Sequence, residues 1–309
     1  MILRVVFSRW PNRFVVAPFT DSMCLKRNSN FLWVDRDFQR NPQLDLLADP
    51  DLLFSLPGCK IVKDQRKIKV GRARLEIDGK PKGIYLKRYN AFSWRYRLAS
   101  LFFPSGASRS WIGAGILMRS GFQTGRPIAA VEFRSWGMLT KSFYLSEEIQ
   151  GGRTADTYWR EELTPLGGRE GFLRRRNFLR DLAWLFRSLH AENIYHNDLK
   201  DANILVSHSN QHREERFYLL DLEGIRSYRY LDRRRRIKNL VQLNRTMGRL
   251  LRRTEKLYWL KAYLSDVFFS RGERRMWISE VQKMSVREDR RSSMKALRIH
   301  SERKGVHGF

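Results

Sequence analysis

The stretch NIYHNDLKDANILV, residues 193–206, constrains this chain more than any other. It packs His196, Asp198, Lys200, Asp201 and Asn203 between two apolar runs. The segment before it, NFLRDLAWLFRSLHAEN (177–193), carries apolar residues at 178, 179, 182, 185, 186 and 189. That spacing predicts an amphipathic helix, with Asn177 as its candidate N-cap. After the loop, NILV and FYLLDL (217–222) predict two short strands joined by the polar turn SHSNQHREER. A helix therefore delivers the chain into a polar connection, and a hairpin then carries it to Asp221.

Those residue types have a definite chemistry. Asn203 and Asp221 offer hard oxygen donors, which suit Mg²⁺ with phosphates or waters in its other positions. Asp198 can accept a proton from an attacking hydroxyl, and Lys200 can place positive charge on a transferring phosphoryl group. His196 is read as a brace for the loop. The competing reading is a solvated polar turn, and His-x-Asp alone would favour it. The second motif, Asp221-Leu-Glu-Gly224, following the first after an amphipathic helix, argues against that reading.

The front half of the chain reads differently. KIKV (67–70) and ARLEI (73–77) alternate with a phase shift at Gly71, which predicts a bulge there. DGKPKG (78–83) is a turn and IYLKRY (84–89) the partner strand. SRSWIGAGILMRSG (108–121) predicts a helix weakened by two internal glycines, and IAAVEFR (128–134) and KSFYLSEEI (141–149) predict two more strands. Residues 151–168 read as a linker, and 233–264 as helix. From 285 an Arg-, Ser- and Lys-rich tail is expected to fray. Residues 1–50, with Trp10, Phe14, Phe19 and Trp33 but no sustained period, read as an N-terminal extension. The expected division is 1–50, 51–150, 151–284 and 285–309.

Composition narrows the partners. Sixty Lys and Arg against thirty-two Asp and Glu give a net charge of +28, a surface for polyanions. Two cysteines, Cys24 and Cys59, exclude a disulfide framework and a cysteine-built zinc site. The apolar run in MILRVVFSRWP is too short for a signal-peptide core, and WIGAGILM (111–118) falls far below the roughly twenty residues a membrane span needs. A soluble or peripheral protein is expected. No zinc-finger or helix-turn-helix pattern supports specific nucleic-acid binding.

With these residues in hand, the chain resembles the bacterial lipopolysaccharide core (Kdo/heptose) kinases of the protein-kinase-like superfamily. HNDLKDANILV and LLDLEG carry the resemblance; PGCKIVKDQRKIKV, GIYLKRY, GRPIAAVE, SFYLSEEI, NLVQLNR and LYWLKAYL support it over roughly residues 55–265. It implies an α+β, bilobal kinase-like fold with an antiparallel N-lobe sheet, one N-lobe helix and a mainly helical C-lobe. It implies ATP- and Mg²⁺-dependent phosphorylation of a Kdo or heptose hydroxyl on the lipid A–core glycolipid, beside the anionic inner face of the inner membrane. Lys87 would hold the ATP phosphates, Asp198 would be the base, Lys200 would neutralise the phosphoryl group, and Asn203 and Asp221 would ligate the metal. Glu147 and Glu148 stand where a hinge would meet adenine.

Two departures keep other readings open. Kinases pair the strand lysine with a helix glutamate, yet no acid lies between Arg88 and Val131. Lys87 is then oriented by Asp221, by another polar group or by nucleotide alone. The glycine-rich phosphate loop is also missing, which leaves Lys63, Gln65, Arg66 and Lys67 to cover phosphates by charge. The alternatives are an atypical protein kinase and a degenerate kinase-like protein that binds nucleotide or anionic lipid. The short path from Asp221 to the arginine-rich helix and the lack of Ala-Pro-Glu weigh against the first.

Overall fold

The computed structural model describes residues 22–27, 30–77, 79–208 and 215–305. The chain divides into two units, Met1–Gln150 with Tyr218–Ile225, and Gly151–Phe217 with Arg226–Phe309. Trp10, Phe14 and Phe19 of the expected extension lie outside the described residues.

The first unit holds, in chain order, β1 (Ser22–Arg27), β2 (Asn30–Asp35), β3 (Lys60–Asp64), β4 (Ile68–Ile77), β5 (Lys80–Asn90), α1 (Trp94–Ala99), α2 (Gly106–Arg119), β6 (Gln123–Thr124), β7 (Pro127–Ser135) and β8 (Met138–Glu147). Seven strands form one antiparallel sheet in the order β1-β2-β7-β8-β5-β4-β3. Residues 22–35 are thus part of this sheet and not a separate extension: Trp33 pairs with Ala130. Residues 37–55 follow as three 3₁₀ turns, whose irregular period hid them from the sequence reading. Their Phe38, Leu47 and Leu53 cover one sheet face, over Leu75, Ile77, Ile84, Leu86, Phe143 and Leu145.

β4 is unbroken at Gly71, and the register irregularity lies on β3 between Ile61 and Lys63. The phase shift in the sequence has another cause. Ala73, Leu75 and Ile77 are buried on one face, while Ile68 and Val70 are half-buried on the other. Gly71 sits where the Phe54 ring presses on the strand, 2.9 Å from where a Cβ would stand.

The opposite sheet face is covered by α2, capped by the Ser105 hydroxyl, which accepts from the Ser108 amide at 3.0 Å. Ala107, Trp111, Ala114 and Leu117 form its buried stripe. Gly113 costs helix propensity but permits close approach: a Cβ there would meet the Leu222 carbonyl oxygen at 2.2 Å.

The second unit holds β9 (Arg153–Thr154), α3 (Ala155–Tyr158), α4 (Gly168–Ala191), β10 (Ile194–His196), β11 (Ile204–His208), the start of β12 (Glu215–Leu219), the end of β13 (Ile225–Ser227), α5 (Arg233–Arg245), α6 (Arg253–Leu264) and α7 (Arg271–Gly305). Residues 151–168, expected as a linker, contribute buried Tyr158, Trp159 and Leu163 through α3 and a π turn over Trp159–Leu163. Both aromatic rings lie against Phe178, with centroids at 5.5 and 5.8 Å. α4 begins at Gly168, so Asn177 is an interior residue and not the cap; the arginines before it are good helix formers that extend the helix backwards. The predicted stripe is its buried face, through Phe178, Leu179, Leu182, Phe186 and Leu189.

The helical region 233–264 breaks at Thr246–Arg252. The residues from 285, expected to fray, continue α7 to Gly305. They are held to α5 by Arg245 Nε to Asp289 at 2.9 Å and Asn244 Nδ2 to Ser285 Oγ at 2.9 Å. Of the turn after β11, residues 209–214 lie outside the described residues.

Candidate active site

The polar loop belongs to the second unit. Its entry is set by Asn193, which adopts a left-handed conformation (φ 55°) just past the α4 C-cap. The Asn193 carbonyl accepts from the Tyr228 amide and its Oδ1 from the Leu231 amide, at 3.0 and 2.9 Å, which turns the chain sharply into β10. β10 buries Ile194, Tyr195 and His196. His196 Nδ1 accepts the Asp198 amide at 3.1 Å, so this histidine shapes the loop backbone.

Three predicted residues converge here. Lys200 Nζ lies 2.6 Å from Asp198 Oδ2, and Asn203 Nδ2 donates to the Asp198 carbonyl at 2.7 Å and to its Oδ2 at 3.1 Å. Asn203 thus spends its amide nitrogen on Asp198, and its carboxamide oxygen is the atom it can offer a cation. Neighbouring Asp201 is buried and accepts the Ala202 amide at 2.8 Å; burial pushes its carboxyl above the usual range.

Two residues of α5 that the sequence reading did not single out hold the loop from behind. Asn239 Nδ2 donates to the His196 carbonyl at 2.6 Å. Gln242 accepts the Leu199 amide at 2.9 Å and donates to the Asn197 carbonyl. Asn239 also meets His190 Nε2 at 3.1 Å through its oxygen, so that nitrogen carries the proton and His190 Nδ1 accepts from the Tyr263 hydroxyl at 2.8 Å. Burial drives the His190 pKa down to about 4, keeping the ring neutral. The signal for this brace was present in NLVQLNR, where Asn239 and Gln242 share a helix face three residues apart.

Lys87 and Asp221 belong to the first unit, 134 residues apart in sequence. Lys87 Nζ lies 2.6 Å from Asp221 Oδ1. Asp221 sits at φ 56° and ψ 53°, a left-handed conformation that aspartate tolerates better than most residues. On β5, Lys87 and Tyr89 share the face toward α2. Tyr89 is buried, its hydroxyl 2.9 Å from Ser110 Oγ of α2. Where a kinase helix would carry glutamate, α2 presents this hydroxyl pair and Arg109.

A second carboxylate of the Asp221–Gly224 turn faces α2. Glu223, in the Asp-Leu-Glu-Gly motif, reaches Arg109 Nη2 at 3.4 Å. Burial opposes the Lys87 charge, but Tyr89, Asp221 and Glu223 outweigh it and hold the ammonium well above the usual lysine range. Burial pushes the Tyr89 phenol up to about 12, against the pull of Lys87. The sequence signal for Glu223 was the departure from Asp-Phe-Gly itself.

Two of the cations expected to cover phosphates, and the two glutamates at the hinge position, make contacts of their own. Arg66 donates to the Phe92 carbonyl at 3.5 Å, and Lys67 stands 4.6 Å over the Phe92 ring. Glu147 pairs with Lys82 at 3.1 Å and Glu148 with Arg72 at 2.8 Å. Asn203 and Asp221, the residues expected to ligate a metal, belong to different units. Among the described residues no cluster of three or more His, Cys, Asp or Glu forms a metal site. A carboxylate and a carboxamide oxygen nevertheless match the hard donors that Mg²⁺ takes beside phosphate oxygens.

The sequence pattern of the lipopolysaccharide kinase (Kdo/WaaP) family matches residues 82–290, a span that includes the loop, the lysine on β5 and the Asp-x-x-Gly turn. The chain belongs to this family. As a Kdo/WaaP-family kinase it is an enzyme of the class that phosphorylates sugars of the lipopolysaccharide core. A solved structure of WaaP in complex with acyl carrier protein is 19% identical, covering 79% of this chain and 96% of that one, with a TM-score of 0.55. The likeness shows the shared kinase-like α+β fold, with its antiparallel N-terminal sheet and helical C-terminal part. The Rio2 kinase from Chaetomium thermophilum, solved as an ADP/Mg²⁺-phosphoaspartate complex, matches at 13% identity over 88% of this chain and 82% of that one, with a TM-score of 0.44. No curated protein sequence matches the chain.

Proposed function

We propose that this kinase transfers the γ-phosphoryl group of ATP to a Kdo or heptose hydroxyl of the lipid A–core glycolipid, with Mg²⁺, at the cytoplasmic face of the inner membrane. The observation that carries the reading is the convergence of Lys200 and Asn203 on Asp198 within one braced loop. Asp198 takes the proton from the sugar hydroxyl, whose oxygen bonds to the γ-phosphorus as the bond to the bridging oxygen of ADP breaks. Lys200, resting on Asp198 here, turns its charge to the transferring group.

Asn203 and Asp221 would hold Mg²⁺, which supplies charge neutralisation between phosphate oxygens. Lys87 engages the ATP phosphates. Asp221, Glu223 and the Tyr89–Ser110 pair fix it in place of a helix glutamate. The net charge of +28 suits an acceptor that carries phosphates and acidic sugars in an anionic bilayer. Among the described residues no helix is long and apolar enough to cross a membrane, which fits peripheral contact.

The test incubates the purified protein with Mg-ATP and core lipopolysaccharide, with mass spectrometry of the product. Phosphate addition is expected, and Asp198→Ala should slow it by on the order of 10²–10⁴-fold. No transfer by the wild-type protein, or full transfer by the variant, would overturn the reading.

A further inference from the structure

The first unit carries an apolar surface that the active site does not use. In α1 and the turn after it, Trp94, Leu98 and Leu101 recur at i, i+4 and i+7, the spacing of a buried helix stripe. Here the stripe faces solvent: Trp94 is 68% exposed, and Phe102 and Phe103, which follow it, are 75% and 65% exposed. Such residues are ordinarily buried, and a contiguous group of them in water marks an interaction surface.

The patch includes a second element. β7 and β8 pair at Ser135 and Met138, which leaves Trp136-Gly137 as a two-residue hairpin tip with φ of 54° and 76°. Two successive positive φ values call for Asn-Gly or Gly-Gly. This chain instead places tryptophan there, 92% exposed, in a conformation that bulky side chains resist. The tip is locked beside α1. One guanidinium, Arg134, donates to both the Ser100 and Gly137 carbonyls at 3.1 and 3.0 Å, and the Leu139 amide donates to Ser100 Oγ at 2.8 Å. The hairpin that carries Trp136 is therefore tied to Ser100, at the start of the turn that carries the phenylalanines.

Cations flank the patch, with Asp64 at the β3–β4 turn pairing with Lys69. Arg95 and Arg97 lie on α1 itself, within the acid-free stretch from Arg88 to Val131, and among the described residues neither enters an ion pair. Arg66 and Lys67, at the β3–β4 turn, are held against Phe92, whose ring lies 5.4 Å from that of Tyr96 in α1. Aromatic and leucine side chains flanked by cations match an interface of acyl chains beneath anionic headgroups.

We propose that α1, its following turn and the β7–β8 hairpin tip form the surface by which this kinase docks on an anionic bilayer. Trp94, Phe102, Phe103 and Trp136 enter the headgroup boundary, and Arg95, Arg97, Arg66 and Lys67 meet lipid phosphates. The proposal rests on the reading above that the acceptor is a membrane glycolipid, since a docked enzyme meets such an acceptor in the plane of its membrane.

The test is co-sedimentation of the full-length protein with phosphatidylcholine vesicles, with and without about a quarter phosphatidylglycerol. Binding to the anionic vesicles is expected, weakened at least about tenfold by the double variant Phe102→Ser/Trp136→Ser, whose side chains are exposed and leave the fold intact. Arg95→Gln should weaken it by about fivefold. Transfer to a soluble, delipidated core oligosaccharide should be unchanged in these variants, which separates loss of docking from failure of the kinase reading. Wild-type vesicle binding by the double variant would overturn the proposal, whether the protein then sticks by bulk charge or the patch serves a protein partner. So would equal binding to neutral and anionic vesicles.

Discussion

The two regions that carry the candidate residues are built in contrasting ways. In the second unit, Asp198, Lys200 and Asn203 meet through contacts made inside one short loop, with Asn239 and Gln242 bracing its backbone. In the first unit, Lys87 is placed by groups gathered from β5, α2 and the Asp221–Gly224 turn. The loop keeps the common kinase sequence pattern. The lysine site has rearranged it, with carboxylate and cation exchanged between helix and turn: Arg109 stands on α2 and Glu223 in the motif. The contrast teaches that contacts closed within one loop are fixed by spacing, whereas the groups around Lys87 can be gathered from several elements.

In the rearranged region, the largest effect is expected at its lysine. Lys87→Ala should lower phosphoryl transfer by on the order of 10²–10³-fold and weaken Mg-ATP binding with it, both measurable by a coupled assay and calorimetry. Unchanged ATP affinity would show that the Asp221–Lys87 pair is structural only.

This division also explains what could be read from the sequence. The loop was legible because its partners lie within a few residues, so spacing alone encodes their meeting. The sheet and α2 were legible from alternation and from the apolar stripe at Ala107, Trp111, Ala114 and Leu117. The partners of Lys87 were not, because a contact across 134 residues leaves no local period. Residues 37–55 were missed for a related reason: 3₁₀ turns have no long repeat, so Phe38, Leu47 and Leu53 gave no sign of covering a sheet. The β4 bulge was misplaced because a strand half-covered on both faces mimics a phase shift.

The next prediction concerns the brace behind the loop. Buried neutral His190 has its pKa lowered to about 4, while the unfolded chain takes up that proton near 6.5. Between those values the unfolded state binds more protons, so stability rises with pH there and falls as pH drops from about 6.5 to 4. The loss should reach on the order of 3 kcal/mol, read by urea unfolding across that range, with the His190 ring titrating near 4 by NMR. A ring midpoint near 6.5 would contradict the buried arrangement with Asn239 and Tyr263.

The smallest effect sharpens the comparison most finely. Glu223→Gln removes one of the two carboxylates that act on Lys87, while Asp221 remains in contact with it. It should raise the KM for ATP by up to about tenfold and leave kcat close to wild type, as expected when binding is weakened equally in ground and transition states. A fall in kcat alone would assign Glu223 to the chemical step instead.

The central claim is that the loop performs the transfer while the Lys87 cluster holds the nucleotide. Calorimetric titration of Mg-ATP into Asp198→Asn tests it most directly. The account predicts an ATP affinity within about threefold of wild type in a protein that no longer transfers phosphate, since Asp198 acts only in the transition state. Loss of ATP binding together with transfer would contradict it.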